Sequence, residues 1–386
     1  MTITPMLTKI FGKTKTEYDD NTIDILRLIR SENIGTKTFY NIINYYGSAK
    51  KAVENIPEFM ARCGKSKYRV FSTQEAEKEI EAMDKNGAKF LTYQDEAYSE
   101  LLKNTYDAPP IISYKGNIKL LKTNCAAIVG ARNCSIAGKE LASRIARDLS
   151  KASITVVSGL ARGIDTASHL ASEPNTIGVI AGGIDHIYPP ENHKLYERMA
   201  KEGLIIAELP IGNSPLARHF PQRNRIISGL SQATIVIEAS LNSGSLITAK
   251  FALEQNREIF AAPGFPLDPR CTGTNKLIKD GATLLESADD IIEFYNKLDE
   301  SKIREQKADN LKTTPICEIV DENLLSQSNK NLIMECLSSY PASIEDIHTQ
   351  TKLPIPIIMT ILLELELIGK IVYQPGNKIV MNFENI

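Results

Sequence analysis

Ala126-Ala127-Ile128-Val129-Gly130-Ala131-Arg132-Asn133 and Ile154-Thr155-Val156-Val157-Ser158-Gly159-Leu160-Ala161-Arg162-Gly163-Ile164-Asp165 are built alike. Each is a short apolar run, then a glycine-bearing turn with an arginine, then a helix-length segment. So short a run, rich in β-branched residues, fits a strand buried on both faces. Further runs stand at Ile177–Ala181, Leu204–Ala207, Ile235–Ile237 and Ile259–Ala261, with helix-length segments between them. Strands alternating with helices imply an α/β fold, a Rossmann-like doubly wound parallel sheet, because parallel neighbours need crossovers and the crossover helices cover the faces. Ligands on such sheets bind beyond the C-terminal strand ends, so the turns after the runs form the candidate site.

Working outward, apolar residues recur at helical spacing before the sheet (Ile23, Leu26, Leu28, Ile29, then Phe39, Ile42, Ile43, Tyr46), with Gly35 and Gly47 at turns. Residues 20–85 are therefore expected to form a small helical domain of SAM or helix-hairpin-helix type. Ile34-Gly35-Thr36-Lys37-Thr38 fits half of a helix-hairpin-helix that offers N–H groups to a phosphate, and equally an ordinary helix turn. The Rossmann-like domain is assigned to residues 86–295, followed by a polar linker over 296–328. Residues 329–386 read as a winged helix, with helices at Ser343–Gln350 and Pro354–Leu367 and a ribbon around Gly376. The longer helix carries Glu364 and Glu366 without Lys or Arg, which argues against major-groove binding and for a protein-interaction role.

A net charge of −2 gives no global signature of a nucleic-acid binder, so such a role must rest on local charge. Cys63, Cys125, Cys134, Cys271, Cys317 and Cys336 are scattered without zinc spacing and read as reduced, mostly buried thiols. Met1 to Asp20 lacks the apolar stretch of a leader, and no run suits a membrane span, so a cytoplasmic protein with no metal, no cofactor and no membrane partner is expected.

After the first strand, Gly130-Ala131-Arg132 and the helix beyond suit an anion through the helix N-terminus and a forked cation. No G-x-G-x-x-G occurs, and Gly138-Lys139 is followed by Glu140 where a Walker loop needs Ser or Thr. Ser158, Asp165 and His169 suggest a hydrolytic triad, but Asp165 and His169 fall four apart on one helix face. A helix cap by Asp165, with Arg162 facing a phosphate, fits better. Ser243-Gly244-Ser245 opens a helix and suits a phosphate cradle, or simple capping by Ser243. In His219-Phe220-Pro221-Gln222-Arg223-Asn224-Arg225 the arginines stand, with Arg218, in a stretch free of acids between Glu208 and Glu238. A second acid-free window, Ala108 to Lys139, holds Lys115, Lys119, Lys122, Arg132 and Lys139. Phe220, beside His219, is placed to stack an unpaired base, or to be core with the arginines as a solvated face.

These blocks, together with Tyr188-Pro189-Pro190-Glu191-Asn192 and Ser243-Gly244-Ser245-Leu246-Ile247-Thr248-Ala249, resemble the DprA (Smf) family of DNA-processing proteins over about Asn86 to Ile292. The resemblance implies binding and protection of incoming single-stranded DNA, loading of the RecA recombinase in natural transformation, homodimers, and no enzymatic activity. Arg132 falls in the family's phosphate-contacting motif, where Ala131 replaces a serine, and Arg223, Asn224 and Arg225 fall in its central DNA-facing block. Lys194 follows the Pro-Pro-Glu-Asn turn as a further phosphate contact. The expected DNA-binding set is Arg132, Gly159, Arg162, Lys194, His219, Phe220, Arg223, Asn224, Arg225, Ser243, Gly244 and Ser245. Loss of Arg132 or Arg225 is expected to weaken binding without unfolding the protein. The alternative is a nucleotide hydrolase resembling the lysine-decarboxylase-like phosphoribohydrolases, whose Pro-Gly-Gly-x-Gly-Thr loop and catalytic glutamate are not matched here.

Overall fold

The computed structural model describes residues 18–62, 68–308, 327–338, 340–374 and 378–382. Most of the N-terminal stretch read for a leader, Cys63, Cys317 and the ribbon turn at Gly376 lie outside them.

The chain opens with α1 (Asp20–Arg30), α2 (Thr36–Tyr46), α3 (Ala49–Arg62) and α4 (Thr73–Lys85), then β1 (Lys89–Thr92), α5 (Glu100–Lys103) and β2 (Ile111–Gly116). The alternating part runs β3 (Cys125–Gly130), α6 (Ile136–Lys151), β4 (Thr155–Ser158), α7 (Ile164–Ser172), β5 (Thr176–Ile180), α8 (His193–Met199) and β6 (Leu204–Ala207). It continues with α9 (His219–Gly229), β7 (Ala233–Ile237), α10 (Gly244–Glu254), β8 (Glu258–Ala261), α11 (Thr272–Lys279) and β9 (Thr283–Leu284). After these come α12 (Ala288–Ala308), α13 (Gln327–Cys336), α14 (Ile344–Thr351), α15 (Ile355–Leu367), β10 (Ile371–Gln374) and β11 (Lys378–Met381).

Every apolar run of the alternating region is a strand. Among the described residues the main sheet has nine strands in the order β1-β2-β6-β5-β4-β3-β7-β8-β9. All pairs from β6 to β9 are parallel, while β1 with β2 and β2 with β6 are antiparallel. The parallel strands are covered on both faces, with Ile128, Val156, Ile177, Ile205 and Ile235 all fully buried. Each contributes roughly 1.5–3 kcal/mol of hydrophobic stabilisation.

From β3 the chain steps outward through β4, β5 and β6, then returns by α9 to place β7 on the other side of β3. β3 and β7 pair from Ala126↔Ala233 to Gly130↔Ile237. Their following turns therefore start side by side at the point where the strand order reverses, which is where an open α/β sheet forms its crevice.

By packing, the chain divides into two units. Of the described residues, one holds those up to Ile23, Gln74–Leu101 and Ile111–Glu286, and so contains the whole main sheet; the other holds those within Asp24–Thr73, Leu102–Pro110 and Ser287–Ile386. Helix α12 reaches Ala308, so residues 296–308, read as linker, continue a helix. Lys- and Glu-rich composition serves an exposed helix as well as a coil, and polarity alone does not separate them.

In the second unit α13, α14 and α15 enclose Ile333, Ile347, Ile358 and Leu362, and β10 pairs with β11 as the wing. A reciprocal cap between Ser343 and Asp346 starts α14. Helix α15 packs on α2, whose Lys37 ammonium stands 4.3 Å from the Tyr106 ring centre and 6.0 Å from that of Tyr373. The cation of the helix-hairpin-helix-like turn is thus held among aromatic rings. No helix among the described residues is long and apolar enough to cross a membrane.

Candidate nucleic-acid interface

Turns from the C-terminal ends of β3, β4, β7 and β8 meet the N-terminus of α9 in a cleft of about 670 Å³. Arg132 and Asn133 form one wall, Phe220 and Asn224 a second, and the start of α10 from Ser243 to Ser245 a third. Arg132 is exposed, and its guanidinium lies 5.2 Å from the Phe220 ring centre. Among the described residues it makes no ion pair. Phe220 is half-buried and meets the exposed Tyr188 ring edge-on at 5.8 Å. It is therefore cleft wall, neither core nor free surface.

Arg223 and Arg225 lie elsewhere than the sequence suggests. Arg223 is 6 % exposed. It donates to the carbonyl oxygen of Gly159 at 2.5 Å and to that of Val179, with Asp165 as the nearby countercharge. Burial lowers its pKa to about 10, opposed by Asp165, so it stays charged at neutral pH. Arg225 is 7 % exposed and ion-paired with Glu208. The acid-free stretch measures distance along the chain; the compensating carboxylates arrive from α7 and from the end of β6. Arg223 still lines the cleft, as part of its floor held by these bonds, while Arg225 lines none of it.

Gly159 is not among the residues lining the main cleft; it lines an adjoining hollow with Arg132 and Phe220 and packs directly against Arg223. A Cβ there would stand 2.6 Å from the Arg223 guanidinium carbon, so only glycine lets the arginine approach. Asp165 is not the helix cap, a position Gly163 holds. Its carboxylate turns back to accept the Gly159 N–H at 3.1 Å and the Ala161 N–H at 3.3 Å. Burial raises its pKa, with the Arg223 charge and these N–H groups opposing.

The would-be triad is structural. Ser158 is fully buried and donates to Ile128 O at 2.6 Å. His169 is also fully buried, with Nδ1 2.6 Å from the Thr176 hydroxyl, which itself donates to Val156 O. The proton of the neutral imidazole thus sits on Nδ1. Burial, and then the Arg223 charge, lower the His169 pKa to about 3.

Helices α6 and α10 both begin at the crevice. Ser243 caps α10 by accepting the Ser245 N–H at 3.4 Å, Gly244 is exposed, and no acid occupies the first turn. The Asn224 amide donates to Gly244 O at 3.3 Å and ties α9 to this helix start. At α6 the anion seat expected after β3 is already taken: the Glu238 carboxylate accepts the Ser135 N–H at 2.7 Å and the Ser135 hydroxyl.

The remaining expected residues scatter more widely. Arg162 is exposed and ion-paired with Glu191 at 2.5 Å. With Arg132 and Lys139 it lines an adjoining cleft of about 520 Å³. A ring nitrogen of His219 accepts the Leu216 N–H at 3.2 Å, and burial, then the Arg218 charge, lower its pKa, so it works as a turn ligand. Lys194 is exposed on α8 and lines neither cleft. Arg270 lines the main cleft and was missed. It follows β8, so the strand-end rule would have found it. Asp268 grips its guanidinium at 3.0 and 2.7 Å.

Comparison with known proteins places this geometry in a family. DNA recombination-mediator protein A matches residues 89–296, flanked by a DprA-like N-terminal HHH domain over 19–82 and a DprA winged helix domain over 326–377. DNA processing protein DprA of Bacillus subtilis is 44 % identical over 218 residues, which is 55 % of this chain and 73 % of that one. The crystal structure of DNA processing protein A from Streptococcus pneumoniae shares 32 % identity at a TM-score of 0.59, covering 70 % of this chain and 96 % of that one. DNA processing protein A from Helicobacter pylori, described for its single-stranded DNA binding mode, shares 32 % identity at a TM-score of 0.50, covering 54 % and 96 %.

Proposed function

We propose, since this chain belongs to the DNA recombination-mediator protein A family, that it binds single-stranded DNA in the cleft between β3 and β7. The observation that carries this is one contact: an exposed guanidinium laid over a half-buried phenyl ring, beside a helix N-terminus free of acids. Arg132 and the exposed Gly244 at the start of α10 suit phosphates, and Phe220 suits a splayed base. Base stacking is worth roughly 1–3 kcal/mol per base and is tolerant of sequence. A duplex keeps its bases paired and leaves such a ring without a partner.

On this reading the protein works in the cytoplasm as a homodimer, shields incoming DNA from nucleases and hands it to RecA, without chemistry of its own. Arg162, Lys139 and Lys194 extend the basic path beyond the cleft, while Gly159, Arg223 and Arg225 support it from inside. A hydrolytic triad finds no support, because Ser158, Asp165 and His169 are all buried in structural hydrogen bonds, and the phosphoribohydrolase alternative lacks its loop and glutamate in the sequence. The test is equilibrium binding of labelled oligonucleotides, single-stranded and duplex, over a salt series. Tighter binding of the single strand is expected, with a log–log salt slope of about −0.7 per phosphate neutralised. Equal affinity for both forms overturns the proposal, and release of free base from nucleoside monophosphates would favour the hydrolase.

A further inference from the structure

In a doubly wound sheet the helix after the first switch-point strand turns its unpaired N–H groups and positive dipole end toward the bound anion. Here that helix is α6, and a carboxylate of the chain itself is seated there. Glu238, the residue directly after β7, accepts from both the Ser135 N–H and the Ser135 hydroxyl. Ser135 caps α6 in turn, accepting the Gly138 N–H at 2.9 Å. The carboxylate lies so close over Gly138 that a Cβ there would stand 2.5 Å from its carbon and 2.6 and 2.9 Å from its oxygens.

Glu238 is 9 % exposed, and its backbone is left-handed with φ 52°. A residue other than glycine holds that conformation only where its surroundings over-determine it. The carboxylate's charge adds to the burial that pushes the Cys134 thiol up, and, after burial and Asp268, to the rise at Cys271. The start of α10, across the same crevice, has no acid in its first turn.

We infer that Glu238 is a built-in anion that closes the α6 phosphate seat to nucleotides and anchors the Arg132-bearing turn at Ser135, leaving the start of α10 for a DNA phosphate. Only that last clause rests on the single-strand reading; the exclusion of small phosphates stands without DNA. A Rossmann-like crevice with its first seat occupied has no place for the pyrophosphate of a dinucleotide, yet keeps an open groove for a phosphodiester backbone that needs no deep pocket. Glu238 thus acts as a positioning residue and as a specificity filter.

The experiment is thermal melting of the full chain as wild type, Glu238→Ala and Glu238→Gln, in rising inorganic phosphate with chloride holding ionic strength constant. Glu238→Ala is expected to melt lower and to gain about 2–4 °C more from phosphate than wild type does, because the ion replaces the missing carboxylate. Glu238→Gln keeps the shape and loses the charge, so its gain should fall between the two. It carries the test if the alanine variant does not fold: a phosphate gain above wild type supports the inference, and one equal to wild type overturns it. Equal gains in wild type and Glu238→Ala likewise overturn it. No DNA enters the measurement, so its outcome is separate from that of the oligonucleotide assay.

Discussion

The turn after β3 and the helix α9 each bring an arginine to the same ring, Arg132 at 5.2 Å and Arg223 at 6.0 Å from the Phe220 centre. Arg132 is exposed, with its charge in water and in the cleft. Arg223 is enclosed, with its hydrogen bonds going to backbone carbonyls of neighbouring strand ends and its charge facing Asp165. A buried cation with such partners shapes a wall, and removing it leaves a buried carboxylate without compensation. A solvated cation above the wall is the one available to a ligand. Residues of one type, close in space, thus divide into scaffold and contact according to burial.

The largest effect expected from that division is on Arg223→Ala. It should cost about 3–5 kcal/mol of folding stability, read by denaturant unfolding, because the buried Asp165 loses its countercharge and the Gly159 and Val179 carbonyls lose their donor. Arg223→Lys should recover only part, since a single ammonium cannot reproduce the fork to Gly159 and Val179. Wild-type stability in Arg223→Ala would break the comparison at its scaffold end.

Phe220→Ala should act on the ligand side and lower single-strand affinity by roughly 1–3 kcal/mol. A matched loss on duplex DNA would show that the ring is not stacking a base.

The scaffold should also show itself in pH. The His169 imidazole has a pKa of about 3 in the folded chain, against about 6.5 when unfolded. Between those values the unfolded chain binds a proton that the folded chain does not, so stability falls as pH drops below about 6.5, by at most about 1.4 kcal/mol per unit. His169→Gln should flatten this part of the stability profile. An unchanged profile would mean that the imidazole is open to water and titrates normally.

The sheet was legible because β-branched runs such as Ile128–Val129 and Val156–Val157 must be buried on both faces, and that demand is written locally. The antiparallel edge was not: Lys89–Thr92 and Ile111–Gly116 pair with partners set by the returning chain, and their own pattern does not announce it. At the site, Arg132, Phe220 and Ser243 to Ser245 follow from strand ends and helix starts, and the structure gathers them around one cleft. The inward turn of Arg223 and Arg225 depends on Asp165 and Glu208 arriving from other elements. The same holds for Glu238, whose partner Ser135 is remote in sequence.

The smallest effect is also the most direct test. Arg132→Ala and wild type should be compared for single-strand affinity across salt, with melting curves as control. The account predicts an unchanged melt, weaker binding, and a salt slope shallower by about 0.7, the value of one phosphate contact. Unchanged affinity and slope in a folded Arg132→Ala would contradict it, and would make the arginine over Phe220 a surface charge with no part in holding DNA.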